Sequence, residues 1–268
     1  MPRKGSNGLD SPNSTQPITP PSPPPPISGQ RVTLEPITPQ AIPSLFTHLG
    51  FPQTNHLVDH ITGFPYVSTA EALSTHIFSY LDLNPDLTIF AIKACPNHLG
   101  PPSSPLSLPD ADTHADTSVL GLIGYRLHPP SHTIALDDVL FSPALQRTYA
   151  STEASYLLLR HLFESSQTPS SYARVWVRCS TANVASRRHL ERLGYVHEGV
   201  LRKDNVTRWG TARDSHCLSM LDSEWVRNKR VLEGWLGGEN FDAQGRQVRS
   251  MGEVRDAVAA DKDKEGGL

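Results

Sequence analysis

The stretch "TIALDDVLFSPALQRTYASTEASYLLLRHLFESSQTPSSYARVWVRCS" (Thr133–Ser180) decides the fold. Residues 133–142 read as a strand that stops at Pro143. Two acids fall in a row at Asp137 and Asp138, so at least one faces a polar place or marks a bulge. In 151–166, Ala154, Leu158 and Leu162 recur every four residues, and Leu157, Leu159 and Phe163 widen the apolar face. A helix apolar over so much of its circumference packs inside a core. Residues 172–180 return as a strand, with Ala173, Val175, Val177 and Cys179 on one face and Tyr172 and Trp176 on the other. With both faces apolar it suits a parallel pair. Strand, helix and strand in this order place 133–142 and 172–179 side by side and parallel, through a right-handed crossover.

Working outward, 31–38 carry Val32 and Leu34 before Pro36 and read as a first strand. Ile42, Leu45, Phe46 and Leu49 mark a short helix. Residues 68–83 predict a helix capped by Ser68 or Thr69, with Leu73, Ile77, Tyr80 and Leu81 as its stripe. Strands at 87–94 and 119–127 flank a Pro-rich insertion, 96–118, so they form an elaborated hairpin. After residue 180 come a helix from Asn183 to a stop at Gly194, a strand at 198–202, a polar loop at 203–213, a strand at 215–221 and a helix at 223–236. The expected architecture is a single α/β (α+β) domain with a mixed central sheet and flanking helices.

Both ends read differently. Residues 1–30 centre on "PPSPPPP" and cannot bury enough apolar surface to offset ordering entropy. Residues 237–268 are polar without a sustained stripe, although "VRDAVAA" (254–260) could form a weak helical turn. Both are expected to be disordered tails around a domain at 31–236. A net charge of −3 gives no bulk attraction to nucleic acid or anionic membrane. No run approaches the ~18 apolar residues of a membrane span. Cys95, Cys179 and Cys217 make no disulfide framework, which fits free thiols in the cytoplasm. "HLVDH" (56–60) imitates an inverted zinc motif, but Asp59 replaces its Glu and no third ligand is evident, so no metal is expected.

Two places carry candidate chemistry. The strand-to-helix turn at 143–151 leads into the core helix, whose first turn leaves backbone N–H groups unpaired at a partly positive end. Such a turn can cradle phosphate, or can simply cap a helix. In the helix after 183, Asn183, Ser186, Leu190 and Leu193 are spaced three, four and three and share one face. The leucines bury it, while Asn183 either only caps or, with Ser186, meets a ligand at the sheet edge.

With these segments in place the chain resembles the GNAT acetyltransferase superfamily. Gln146-Arg147-Thr148-Tyr149-Ala150-Ser151 matches its Gln/Arg-x-x-Gly-x-Gly/Ala signature, with Tyr149 at the first glycine. "TEA" (152–154), "NVASRRHLERLGYVHEGVLR" (183–202), "WGTARDS" (209–215) and "EW" (224–225) resemble the RimJ/RimL-like branch. The resemblance covers roughly 31–236 and implies a GNAT-type sheet of about six or seven strands in which the parallel pair splays apart.

The implied cofactor is acetyl-CoA, and the implied reaction is acetyl transfer to a primary amine, on a protein N-terminus or a small molecule, in a monomer or homodimer. A catalytically weak acetyl-CoA-binding protein, or an interaction protein working through its tails, is the alternative. Gln146, Arg147, Thr148, Tyr149, Ala150, Ser151 and Thr152 would take the phosphates. Val139, Leu140 and Phe141 would pair with the pantetheine arm, and Asn183, Ser186 and Arg187 would contact it. A backbone N–H near a bulge in that strand would stabilise the oxyanion. Many members carry a thiol-protonating tyrosine where Leu190 stands, which makes Ser186 the replacement acid. Asp137, Asp138, His132, His197 and Glu198 are the candidate bases, with Asp138 the choice. Residues 51–68 and 203–213 would wall the acceptor.

Overall fold

The computed structural model describes residues 24–96, 99, 117–128, 131–164, 172–244 and 246–265. Residues 1–23 of the expected Pro-rich tail and most of the insertion at 96–118 lie outside them. Eight strands form one sheet among the described residues: β1 (Ile27–Ser28), β2 (Val32–Pro36), β3 (Leu87–Ala94), β4 (Ser118–His128), β5 (Thr133–Phe141), β6 (Arg174–Ser180), β7 (Val196–Val206) and β8 (Ala212–Leu221). Their order is β1-β2-β3-β4-β5-β6-β8-β7. Among the described residues six α-helices accompany it: α1 (Ile42–Leu49), α2 (Ala70–Leu83), α3 (Tyr149–Glu164), α4 (Val184–Leu193), α5 (Asp222–Leu236) and α6 (Met251–Glu265).

Two apolar layers hold the sheet. On one face α3 and α5 bury Leu158, Leu162, Trp225 and Trp235 against Phe90, Ile123, Val175 and Leu218. On the other, α1 and α2 bury Ile42, Leu45, Leu73 and Ile77 against Ile89, Leu122 and Leu140. Thr69 caps α2, its side chain accepting from the Ala72 N–H at 3.1 Å. All neighbours are antiparallel except β5 and β6, which run parallel. That pair touches only at Ile134–Val175 and Ala135–Trp176, then diverges. Beyond that point β6 is held by β8 along its length, from Arg174–Leu221 to Ser180–Ser215. A wedge-shaped gap therefore opens in the middle of the sheet.

Three expectations change. The strand edge begins at Ile27, inside the expected tail, because Ile27 pairs with Leu34. The expected loop at 203–213 is mostly a β-ribbon, closed by the Thr207 N–H to the Thr211 carbonyl at 2.8 Å, with Gly210 in the left-handed region at φ 76°. The expected polar tail contains α6, which buries Met251 and Val254 and packs Val258 at helical spacing on the core. Buried Asn240 fastens its approach: its side chain donates to the Trp235 and Arg249 carbonyls and accepts from the Arg249 N–H.

Candidate active site

A cavity of about 500 Å³ fills the gap between β5 and β6. Side chains of both β6 faces line it, Trp176 and Arg178 as well as Val177 and Cys179, so it runs through the sheet. On one side stand Ser155 of α3 and Asn183, Ser186, His189 and Leu190 at α4. On the other stand His60, Ile61 and Thr62, Tyr80 of α2, Arg126 of β4 and Arg213 of β8.

The two consecutive acids of β5 make a bulge. Gly124 pairs with Asp137 and Leu122 with Leu140, so Asp138 and Val139 both oppose Ile123. Asp138 takes φ 46°, a left-handed conformation that Asp adopts more readily than most residues. An unbroken strand would send Asp137 and Asp138 to opposite faces; here both line the cavity. They are then treated differently. Asp137 Oδ2 accepts from Arg126 Nε at 3.2 Å, and Arg126 also donates to Asn84, Asp86 and the Tyr80 hydroxyl. Asp138 Oδ2 is buried without a hydrogen-bond partner. Burial, then the neighbouring Asp137 charge, push the Asp138 carboxyl up to about 7, against the opposing pull of Arg126.

Of the other candidate bases, none lines this cavity. Glu198 is held by Arg174, at 2.6 Å to each oxygen, and by Ser219, which bring it down to about 2. His197 pairs with His216 at 3.0 Å. His132 packs against Tyr172 in the turn before β5. His56 lies in a 3-10 turn, Asn55–Val58, and Asp59 accepts from the Tyr66 hydroxyl at 2.5 Å.

On α4, Asn183 is the N-cap: its side chain accepts from the Ser186 N–H at 3.0 Å, and Gly194 ends the helix at φ 103°. Leu190 and Leu193 are buried, and the Ser186 hydroxyl bonds the Cys179 thiol. Arg187 falls elsewhere. It pairs with Glu191 at 2.8 Å and reaches His216, and it does not line the cavity.

The turn before α3 also departs from expectation. The helix begins at Tyr149, not Ser151, because Thr148 caps it by accepting from the Ser151 N–H at 3.2 Å. Tyr149 is fully buried against Trp235 and Phe241, with ring centroids 5.1 Å away in each case. Ala150 is buried too, so neither side chain opens to the surface. The left-handed residue of the turn is Arg147, at 61°, which explains why position 149 does not need glycine. Gln146 and Arg147 are exposed, and the Gln146 side chain donates to the Phe141 carbonyl at 3.0 Å. Thr152 accepts from Arg192 at 3.2 Å, and Ser151 donates to the Thr148 carbonyl. Glu153 binds the Gln30 and Arg31 N–H groups, so the central acid of "TEA" straps the first strands to α3. On β5, Val139 lines the cavity, Phe141 is partly buried, and Leu140 points into the α1–α2 core.

Sequence reasoning missed His189. It is three residues beyond Ser186, bonds the Ser155 hydroxyl at 3.0 Å and stands edge-on to Phe141. Burial and Arg192 bring it down to about 4, so it is neutral near pH 7. Only its spacing from Ser186 pointed to it.

A mixed sheet opened by a splayed parallel pair, with a helix N-terminus beside the opening, is the architecture of an acyl-CoA-using transferase. The family model described as "Acetyltransferase (GNAT) domain" matches residues 31–196, and the chain belongs to that family. Among solved structures, a GCN5-related N-acetyltransferase from Brucella melitensis is 27% identical, with a TM-score of 0.69, covering 86% of this chain and 94% of that one. A probable GNAT-family acetyltransferase from Chromobacterium violaceum is 28% identical at TM-score 0.60, covering 84% and 99%. The ribosomal L7/L12 acetyltransferase RimL, solved with coenzyme A, shares the fold at 12% identity and TM-score 0.54, covering 73% and 97%. No curated protein matches the chain significantly. Among the described residues no helix is long and apolar enough to cross a membrane.

The family's cosubstrate is acetyl-CoA, and the cleft fits it. Past Ala135 the β5 edge is released by β6, leaving strand backbone beside the cavity for an extended amide-bearing arm. Asn183, Ser186 and Val139 line the cavity, and the exposed turn at Gln146 and Arg147 precedes the positive end of α3.

Proposed function

We propose that this chain is an N-acetyltransferase of the RimJ/RimL-like branch, acting on a primary amine in a reducing compartment. The observation that carries the reading is Asp138: a carboxylate with an unpartnered oxygen, at a bulge, inside the gap that the parallel strands leave. Acetyl-CoA, when bound, supplies an acetyl thioester that a neutral amine can attack directly, releasing CoA as its thiol. Asp138 takes the proton from the incoming amine nitrogen. An affinity for protons near pH 7 suits that task, since a base works best when its pKa lies near the operating pH. His189, held near 4, is too weak a base for it. The bulge at 138–139 interrupts the regular ladder at the cleft; the Asp138 N–H is taken by Asp137 Oδ1 at 3.1 Å, so the Val139 N–H is the candidate oxyanion donor. Ser186 lines the same cavity and is the hydroxyl we assign to hydrogen-bond the departing sulfur. Leu190 cannot donate a proton, and a thiol leaves readily enough to need little help. All three cysteines are free, in keeping with a cytoplasmic setting.

Calorimetric titration with acetyl-CoA tests the cofactor half of this reading. A single site is expected in the native protein. Asn183→Ala should weaken it by about tenfold, through loss of the side chain at the arm. It should also cost about 1 kcal/mol of stability, through loss of the α4 cap. Unchanged affinity would remove Asn183 from the site, and absence of binding would favour a protein working through its tails.

A further inference from the structure

On the acetyl-transfer reading, Asp138 faces the acceptor's amine, and the charges around it decide what else the acceptor carries. Most carboxylates on this side already have a cation. Asp137 pairs with Arg126 at 3.2 Å and Asp204 with Arg178 at 2.9 Å. In the adjoining cavity of about 350 Å³, Asp59 lies 3.8 Å from Arg208. Arg208 is further occupied by the Val58 and Phe64 carbonyls and by the Tyr66 ring, 4.0 Å beneath its guanidinium.

Arg213 is the surplus charge. It lines both cavities and so stands where they join. Its Nη1 donates to the His60 carbonyl at 2.6 Å, but its Nε is buried without a partner. Its charge reaches the cleft, where it opposes the effect of burial on the Cys179 thiol. The register explains the placement. Ser215 is the last residue of β8 covered by β6, so Arg213, two residues further along the same face, projects past the end of β6 and pairs across the ribbon with Asn205. A buried guanidinium donor left unmatched is costly, and its planar fork suits a carboxylate.

We infer that the acceptor is a small amine carrying a carboxylate, of the amino-acid class, with Arg213 holding the carboxylate while the amine faces Asp138. A protein N-terminus presents a peptide carbonyl in that place and leaves the guanidinium without its anion.

The test compares paired acceptors: several free amino acids and the same compounds as carboxamides, with short C-terminally amidated peptides as a third arm. CoA thiol release is measured at saturating acetyl-CoA. The native protein should favour the carboxylate member by at least about tenfold in kcat/KM. The amide's less basic amine biases the comparison against this result. Arg213→Gln should bring the ratio close to one by lowering the carboxylate member by about 10- to 100-fold, and Arg213→Lys should restore part of it. A native ratio near one, faster turnover of the peptides, or an Arg213→Gln variant that lowers both members equally would overturn the assignment while leaving acetyl transfer intact. If no acceptor releases thiol, the transfer reading fails. Calorimetry of the same pairs on the CoA-loaded protein then decides the role of Arg213, and equal affinities for acid and amide would overturn it.

Discussion

Replacing Asp138 by Asn separates catalysis from stability in a way few other substitutions here can. The native carboxyl sits at about 7 because its Oδ2 is buried and unpartnered beside Asp137. Below that pH it is protonated and cannot accept the amine proton; above it the base is ready. Referred to the concentration of neutral amine, the logarithm of kcat/KM should therefore rise with pH and level off after an inflection near 7. Asp138→Asn should lower the plateau by about 10²- to 10⁴-fold and abolish the inflection. Stability moves the other way. The folded pKa is raised above the ordinary value of 3.8, so the folded state binds more protons than the unfolded chain between those limits. Native stability therefore falls as pH rises from about 4 to about 7. At about 1.4 kcal/mol per pH unit, the whole climb amounts to about 4 kcal/mol. The asparagine has no charge to bury, so the difference between the two stability curves should open by up to that amount between pH 4 and pH 8. Thiol-release kinetics and urea unfolding across pH measure the two effects. A flat native profile between pH 6 and 8, or a variant active within a few-fold and parallel in stability, would refute the assignment.

Ser186→Ala should leave acetyl-CoA affinity nearly unchanged and reduce kcat by about tenfold, below the usual range for a proton donor because a thiol leaves easily. A reduction beyond a thousandfold, read in the same assay, would make Ser186 indispensable and contradict the argument from the leaving group. Tyr149→Ala should cost about 3–5 kcal/mol in urea unfolding, since the ring fills the space between Trp235 and Phe241. A loss under 1 kcal/mol would mean that the ring is not the packing element it forms here.

Much of the frame was legible because it follows from apolar spacing. Leu158 and Leu162 with the strands on either side required a parallel crossover, and the adjacent Asp137 and Asp138 required a bulge or a polar neighbour. The bulge is there, and it is what turns both acids into the cleft. Position 149 was misleading because a signature describes a backbone need. Here Arg147 takes the left-handed conformation two residues earlier in the turn, and the tyrosine packs inward. Arg187 was indistinguishable from a cleft residue by composition; only the helix phase, which sends it to Glu191, separates it from Ser186. Arg213 and His189 depend on where the ends of β6 and α3 fall, which no local pattern encodes. Helix α6 rests on Met251, Val254 and Val258, too few apolar residues to stand out before the groove they fill is known.

The most direct test mixes the native protein with acetyl-CoA and a panel of primary amines, following free CoA thiol and the mass of each amine. One acetyl group should appear on at least one amine for each thiol released, faster than in the absence of protein. Tight single-site binding of acetyl-CoA with no amine acetylated above that background would contradict the account and leave a protein that binds the cofactor without using it.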